Sequence, residues 1–201
     1  MAWIKVGIGI GRCAVRRTYV LWATAAAGLA VDQSTKAIAA VLVEGHEPTH
    51  ALGGKVTFTA FRNSGAAGSF APDATIVFTL LAIATVVFIA RVAPSVRSTG
   101  WAVGLGLVLA GAGGNLTDRL FRTPGLGRGA VLDFIQIGDS GIFNLADQCV
   151  TAGAALILIQ TFRGIPMRAA PVAAVAAVAV ANPSGSNPSG SGPSGTSPSG
   201  D

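Results

Sequence analysis

The stretch FNLADQCVTAGAALILIQ, residues 143–160, carries a single acid, Asp147, in an otherwise uncharged run. A spanning helix needs ~20 mainly apolar residues, with ~17 as a practical minimum, and this run has that length. Charge is costly against acyl chains, so an ionisable group in such a helix normally faces the bundle interior or a water-filled cavity. The stretch therefore predicts a membrane helix with a sheltered carboxylate, and the rest of the chain has to supply the shelter.

Three more stretches have the same character. Residues 18–43 are uncharged except for Asp32, Lys36 and nothing else, residues 74–90 are uninterrupted, and residues 98–117 hold no charge. The fourth span takes in residues 141–162, broken only by Asp147. With 51% hydrophobic and 11% charged residues and a mean hydropathy of +0.60, the chain predicts an all-α membrane protein with four transmembrane helices. A small extracytoplasmic β segment is expected in KVTFTAFR, where Val56, Phe58 and Ala60 alternate with Thr57, Thr59 and Phe61. The expected domains are a basic N-terminus over 1–17, a four-helix membrane domain over 18–165, and a tail over 166–201.

Lys5, Arg12, Arg16 and Arg17 precede the first helix, Arg91 and Arg97 fill the second link, and Arg163 and Arg168 follow the fourth helix. Basic residues gather on the cytoplasmic side, which predicts both termini in the cytoplasm. Lys55, Arg62, Arg119, Arg122 and Arg128 fall on the outer side and read as site or loop residues. The net charge of +5 does not form a basic face interleaved with aromatics, so no nucleic-acid partner is expected. The first apolar segment is too long for a signal core and holds an Asp/Lys pair, so it should persist as a helix.

Cys13 lies near the cytoplasmic end and Cys149 inside helix four, so no disulfide is expected, and His46 and His50 lie in a polar loop. No zinc site, Cys/His enzyme, metal or cofactor is expected. GIGIG at 7–11 lacks the strand and acid of a dinucleotide site, and GLGRG at 125–129 reads as a turn. The Ala/Val run after Met167 is too short to span, and the Pro/Ser/Gly repeat beyond it reads as a flexible, disordered extension.

Gly106, Ala110 and Gly114 recur every four residues in helix three, a small-residue stripe suited to close helix packing. Asp118 continues that row, with Asn115 and Arg119 beside it. Gly28, Asp32, Lys36 and Ala40 share a row on helix one, and Asn144, Asp147 and Thr151 share a face of helix four. Asp32 with Lys36 reads first as an ion pair that pins helix one to its neighbours. Asp118 with Arg119 fits structural support and substrate contact equally. Asp133, in AVLDFIQI of the loop joining helices three and four, and Asp147 have no obvious basic neighbour in sequence. Two carboxylates in a partly dry pocket would share a proton, one activating water and the other protonating the leaving amine. Acids in a membrane could equally relay protons in a transporter, through Asp32, Asp118 and Asp147, and the glycine stripe alone would suit an assembly subunit.

Five blocks in order carry a resemblance across residues 19–162: DQSTKA from Asp32, FRNSGAAGSF from Phe61, GAGGNLTDRL from Gly111, VLDF from Val131 and FNLAD from Phe143. The chain resembles the lipoprotein signal peptidase family, also called signal peptidase II. That resemblance implies a membrane aspartic endopeptidase that removes the signal peptide from diacylglyceryl-modified prolipoproteins, before the lipidated cysteine. It implies Asp133 and Asp147 as the catalytic pair. It implies that Asp32, Lys36, Asn63, Gly65, Asn115, Asp118, Arg119, Asn144 and Ala146 shape or bind at the site. The expected setting is a bacterial inner or plasma membrane, with prolipoproteins and membrane lipids as partners and the enzyme a monomer. Two departures stand out: Gly68 where the family usually has an aromatic, and a longer LFRTPGLGRGA connection before VLDF.

Overall fold

The computed structural model describes residues 4–65 and 75–168, with side chains described from residue 17 onward. In chain order these form helix α1 (Ile4–Leu42), strands β1 (Thr49–Ala51) and β2 (Val56–Asn63), helices α2 (Thr75–Val92) and α3 (Thr99–Phe121), strand β3 (Val131–Ile137) and helix α4 (Leu145–Phe162). Gly68 and Phe70, the Cys13 side chain and the Pro/Ser/Gly tail lie outside the described residues.

Each sequence-derived helix is present, with differences at the starts of two helices and in one connection. Helix α1 begins at Ile4, so the basic segment before residue 18 runs into the same helix. No proline interrupts that segment, and Lys and Arg favour helix. Helix α4 begins at Leu145, not near residue 141, because Asn144 caps it in reciprocal bonding with Asp147. Asp147 is therefore in the first turn, not the ~9 Å into the helix that a start at residue 141 implies at ~1.5 Å per residue. The segment around Asp133, expected to be a loop, is a strand.

That strand completes an antiparallel sheet in the order β1-β2-β3. The expected β2 cannot stand alone, since its unpaired backbone groups need partners, and the Val/Leu/Phe/Ile-rich β3 provides one edge. Phe61 faces Asp133 and Asn63 faces Val131 across the β2-β3 ladder, after an irregularity between Phe58 and Phe61. Ala39 of α1 packs with Leu132 and Phe134, which seats β3 on the end of α1.

Helix α3 sits among the other three, and its small residues set the approach on two sides. A methyl at Gly106 would lie 2.7 Å from the Leu21 carbonyl oxygen, and one at Gly28 would lie 2.7 Å from the Ala110 methyl. The predicted stripe thus packs α3 on α1. A second row, Gly104 and Gly111, meets α4 at Gly153, Ala146 and Val150. Backbones this close gain dispersion contact that lipid cannot replace. Leu21, Ala25, Ile89, Val92, Leu105 and Leu109 form the apolar core beside this junction.

Among the described residues, two segments are long and apolar enough to cross a membrane: Thr75–Ser95 and Leu145–Phe162. Their large apolar side chains point outward: Val77, Leu80, Leu81 and Phe88 on α2, Leu158 and Ile159 on α4. That distribution suits acyl chains as solvent.

Candidate active site

The polar residues singled out in α1, α3 and α4 meet at the same end of the bundle, beneath β3. Lys36 is fully buried. Its ammonium lies 3.0 Å from Asp32 Oδ2, 2.9 Å from Asp118 Oδ2 and 3.0 Å from Asn115 Oδ1. An ammonium has three N–H donors, so this lysine is saturated. The i,i+4 pair Asp32 and Lys36 is the ion pair expected from spacing, now joined by a carboxylate from another helix.

The two outer acids of this cluster also hold backbone. Asp32 Oδ1 accepts the Ala146 N–H at 2.9 Å, one of the unpaired donors in the first turn of α4. Asp118 Oδ2 accepts the Leu132 N–H at 3.3 Å and Oδ1 accepts from Arg122 Nε at 2.7 Å. The partners of Asp118 are thus Lys36 and Arg122, not the adjacent Arg119 paired with it on sequence grounds. Side chains four apart share a helix face, whereas neighbours diverge by about 100°, and the Asp-x-x-x-Arg spacing was the available signal. Gln33, passed over in the sequence, donates to Asp32 at 3.0 Å and to the Gly114 carbonyl at 3.2 Å.

Asp133 and Asp147 stand apart from that charge cluster and line one pocket of about 140 Å³ with Asn63, Gly65, Asn115, Arg119 and Val131. Asp133 is 2% exposed. Its oxygens accept from Asn63 Nδ2 at 2.9 Å and from Asn144 Nδ2 at 2.5 Å. Asp147 Oδ1 accepts from Asn115 Nδ2 at 2.9 Å, and Oδ2 accepts the Asn144 N–H at 3.1 Å. Asn144 bridges the pair: its side chain donates to Asp133 and accepts the Asp147 N–H at 3.2 Å. Thr151 bonds the Asp147 carbonyl, away from the pocket.

Each amide is oriented from behind. Asn115 receives Lys36 on its oxygen, which turns its NH₂ to Asp147. Asn63 receives the Gly65 N–H on its oxygen at 2.9 Å, which turns its NH₂ to Asp133. Arg119 Nη2 donates to the Gly65 carbonyl at 3.0 Å, tying the β2 exit to α3. The same guanidinium lines the pocket with a buried Nε that has no partner among the described residues. Burial pushes the Asp133 carboxyl from 3.8 up to about 6, with the Asp147 charge adding to the rise, while the Asn63 and Asn144 amides and Lys36 oppose it.

All eleven residues expected at the site are therefore in one connected arrangement. Ala146 contributes its backbone and its small size, since a methyl at Gly114 would meet Asp32 and the Ala146 methyl. His46 and His50 bond the Glu44 carbonyl and the Thr57 hydroxyl on the surface. Among the described residues no group of acids, histidines and cysteines could hold a metal ion. Among the described residues the remaining charged pair, Glu44 with Arg62, clasps the end of α1 to β2 at 2.7 Å.

A family model described as signal peptidase (SPase) II matches residues 24–163. The lipoprotein signal peptidase of Streptomyces coelicolor is 46% identical over 150 residues, covering 75% of this chain and 74% of that protein. The one from Mycobacterium avium is 45% identical over 149 residues, covering 74% of this chain and 82% of that protein. A bacterial membrane enzyme solved by the in meso method at 2.3 Å superposes with a TM-score of 0.62 at 28% identity, over 70% of this chain and 85% of that one. Fold and sequence agree, and the chain belongs to the signal peptidase II family, the peptidases of the bacterial membrane that act on lipoprotein precursors.

Proposed function

We propose that this protein removes the signal peptide from diacylglyceryl-modified prolipoproteins, cutting before the lipidated cysteine, with Asp133 and Asp147 as an aspartic pair. The observation that carries this reading is the separation of two kinds of acid. Asp32 and Asp118 are neutralised by Lys36 and Arg122. Asp133 and Asp147 are held by neutral amides and share a small pocket. Acids kept for structure are usually paired with cations, whereas a catalytic pair must keep one proton mobile.

In the proposed reaction a water between the carboxyls attacks the scissile carbonyl carbon. Asp147 takes a proton from that water, and Asp133, whose burial favours the protonated form, stabilises the developing oxyanion by hydrogen bonding. The tetrahedral intermediate then breaks its C–N bond as a proton passes to the departing amine, leaving a carboxyl on the signal peptide and an amine on the cysteine. Arg119 and Asn63 would hold substrate carbonyls at the rim. In this reading α1, α2, α3 and α4 all span the membrane, both termini are cytoplasmic, and the sheet lies outside over the lipidated cysteine. The enzyme works as a monomer, and the tail plays no chemical part.

Purified parent, Asp133→Asn and Asp147→Asn proteins incubated with a lipidated precursor test the pair. Each variant should lose about 10²–10⁴-fold in cleavage rate while retaining its fold. Undiminished cleavage by either one removes that residue from the mechanism. A transporter would instead move protons in vesicles and cleave nothing.

A further inference from the structure

The turn between α3 and β3 spends backbone conformation to display an apolar side chain. Leu126 is 98% exposed and holds a left-handed φ of 50° between Gly125 and Gly127, whose φ values are 79° and 82°. Leucine rarely adopts this region, and an exposed leucine gains nothing from water in return. Nor is the turn loosely attached. The Leu126 N–H bonds the Leu120 carbonyl at 3.1 Å, the Gly129 N–H bonds the Arg119 carbonyl at 2.9 Å, and Thr79 Oγ1 bonds the Gly127 carbonyl at 2.7 Å. Phe121, at the end of α3, is 81% exposed, and Arg128 is exposed beside them.

The Thr79 bond fixes where this apolar tip sits. Thr79 lies four residues into α2, about 6 Å along its axis at ~1.5 Å per residue, and α2 begins the more hydropathic of the two segments fit to cross a membrane. Val77, Leu80 and Leu81 around it face outward. The tip is thus continuous with a lipid-facing helix surface, one turn inside its end. An apolar tip with a flanking arginine suits the boundary between acyl chains and phosphate headgroups.

We infer that Leu126 and Phe121 insert into the outer bilayer interface, with Arg128 at the level of the lipid phosphates, so that the turn sets the depth of the α3 end. Because Gly129 bonds back to Arg119, that depth is passed to the pocket. This rests on the reading of α2 as a span, given above.

The test uses a nitroxide on Leu126→Cys in a full chain with Cys13→Ala and Cys149→Ala, in vesicles of phosphatidylcholine and phosphatidylglycerol. A second label on Leu81→Cys reports the span itself, and lipids labelled along the chain calibrate depth by oxygen against nickel-chelate accessibility. The Leu126 label is expected below the phosphates and shallower than the Leu81 label. A Leu126 label with the nickel accessibility of water, while Leu81 is deep, overturns the inserted turn alone. A Leu81 label in water overturns the span and the insertion together. Retained precursor cleavage identifies folded protein in both labelled chains.

Discussion

Lys36→Met tests the buried charge cluster. The lysine ammonium is enclosed by Asp32, Asp118 and Asn115 at 2.9–3.0 Å, and Lys36, Asp32 and Asp118 are all buried. With Arg122, the cluster holds two positive and two negative charges; without Lys36 it carries one uncompensated buried charge. Removing one partner from a buried ion pair costs about 3–5 kcal/mol. Methionine matches the stem of lysine, so packing loss adds little, and the whole effect is electrostatic. Asn115 also loses the bond that orients its amide toward Asp147, and misplacement on the scale of 1 Å costs up to about 100-fold in rate. Unfolding in mixed micelles of rising SDS content measures the first effect, and precursor cleavage below the transition measures the second. The decisive control is Lys36→Met with Asp32→Asn, which restores neutrality. It should recover about 1–3 kcal/mol of the loss. A single variant within 1 kcal/mol of the parent, or a double variant no more stable than the single, refutes the reasoning.

Three further outcomes follow from the geometry. The Asp133 carboxyl is pushed by burial from 3.8 to about 6; below both values folded and unfolded chains are equally protonated, and between them the folded chain holds the extra proton. Stability should therefore fall as pH rises from about 4 to 6, by about 3 kcal/mol in all, and unfolding across that range should show the slope in the parent and not in Asp133→Asn. Asn63→Ala removes an amide that favours the ionised Asp133, so the kcat/KM limb near pH 6 should move upward by about one unit, with an unmoved limb ruling out Asp133 as its source. Gly111→Ala drives a methyl into the Ala146 carbonyl and within 2.6 Å of Val150, whereas Gly113 has open space; the first should cost about 1–3 kcal/mol and Gly113→Ala should be neutral or stabilising by up to about 1 kcal/mol, as read by the same micelle unfolding.

The helices were legible because apolar length alone distinguishes such segments, and the Asp32–Lys36 pair because residues four apart must meet on one face. The β2 alternation was readable for the same local reason. The eleven site residues were legible as a set only through ordered blocks, since nothing in spacing says which of five polar clusters converge. Asp147 at a helix start was written in Asn144 three residues earlier, a capping pattern hidden inside a longer apolar run. Glu44 with Arg62 left no signal because the two lie 18 residues apart, and the bond from Gln33 to the Gly114 carbonyl left none because it crosses 81 residues.

What the sequence by itself determined is the set of apolar helices, their small-residue stripes and the polar residues they must shelter, for these depend on local period and on the cost of charge in lipid. What tertiary structure decided is the division of labour among the acids. Lys36 can serve only three acceptors, and the packing of α3 against α1 gives them to Asp32, Asp118 and Asn115. Asp133 and Asp147 are left to amides because a strand and a helix cap, distant from that lysine's reach, bring them to one pocket. Charge compensation is a property of distances in space, and those exist only after the helices have packed.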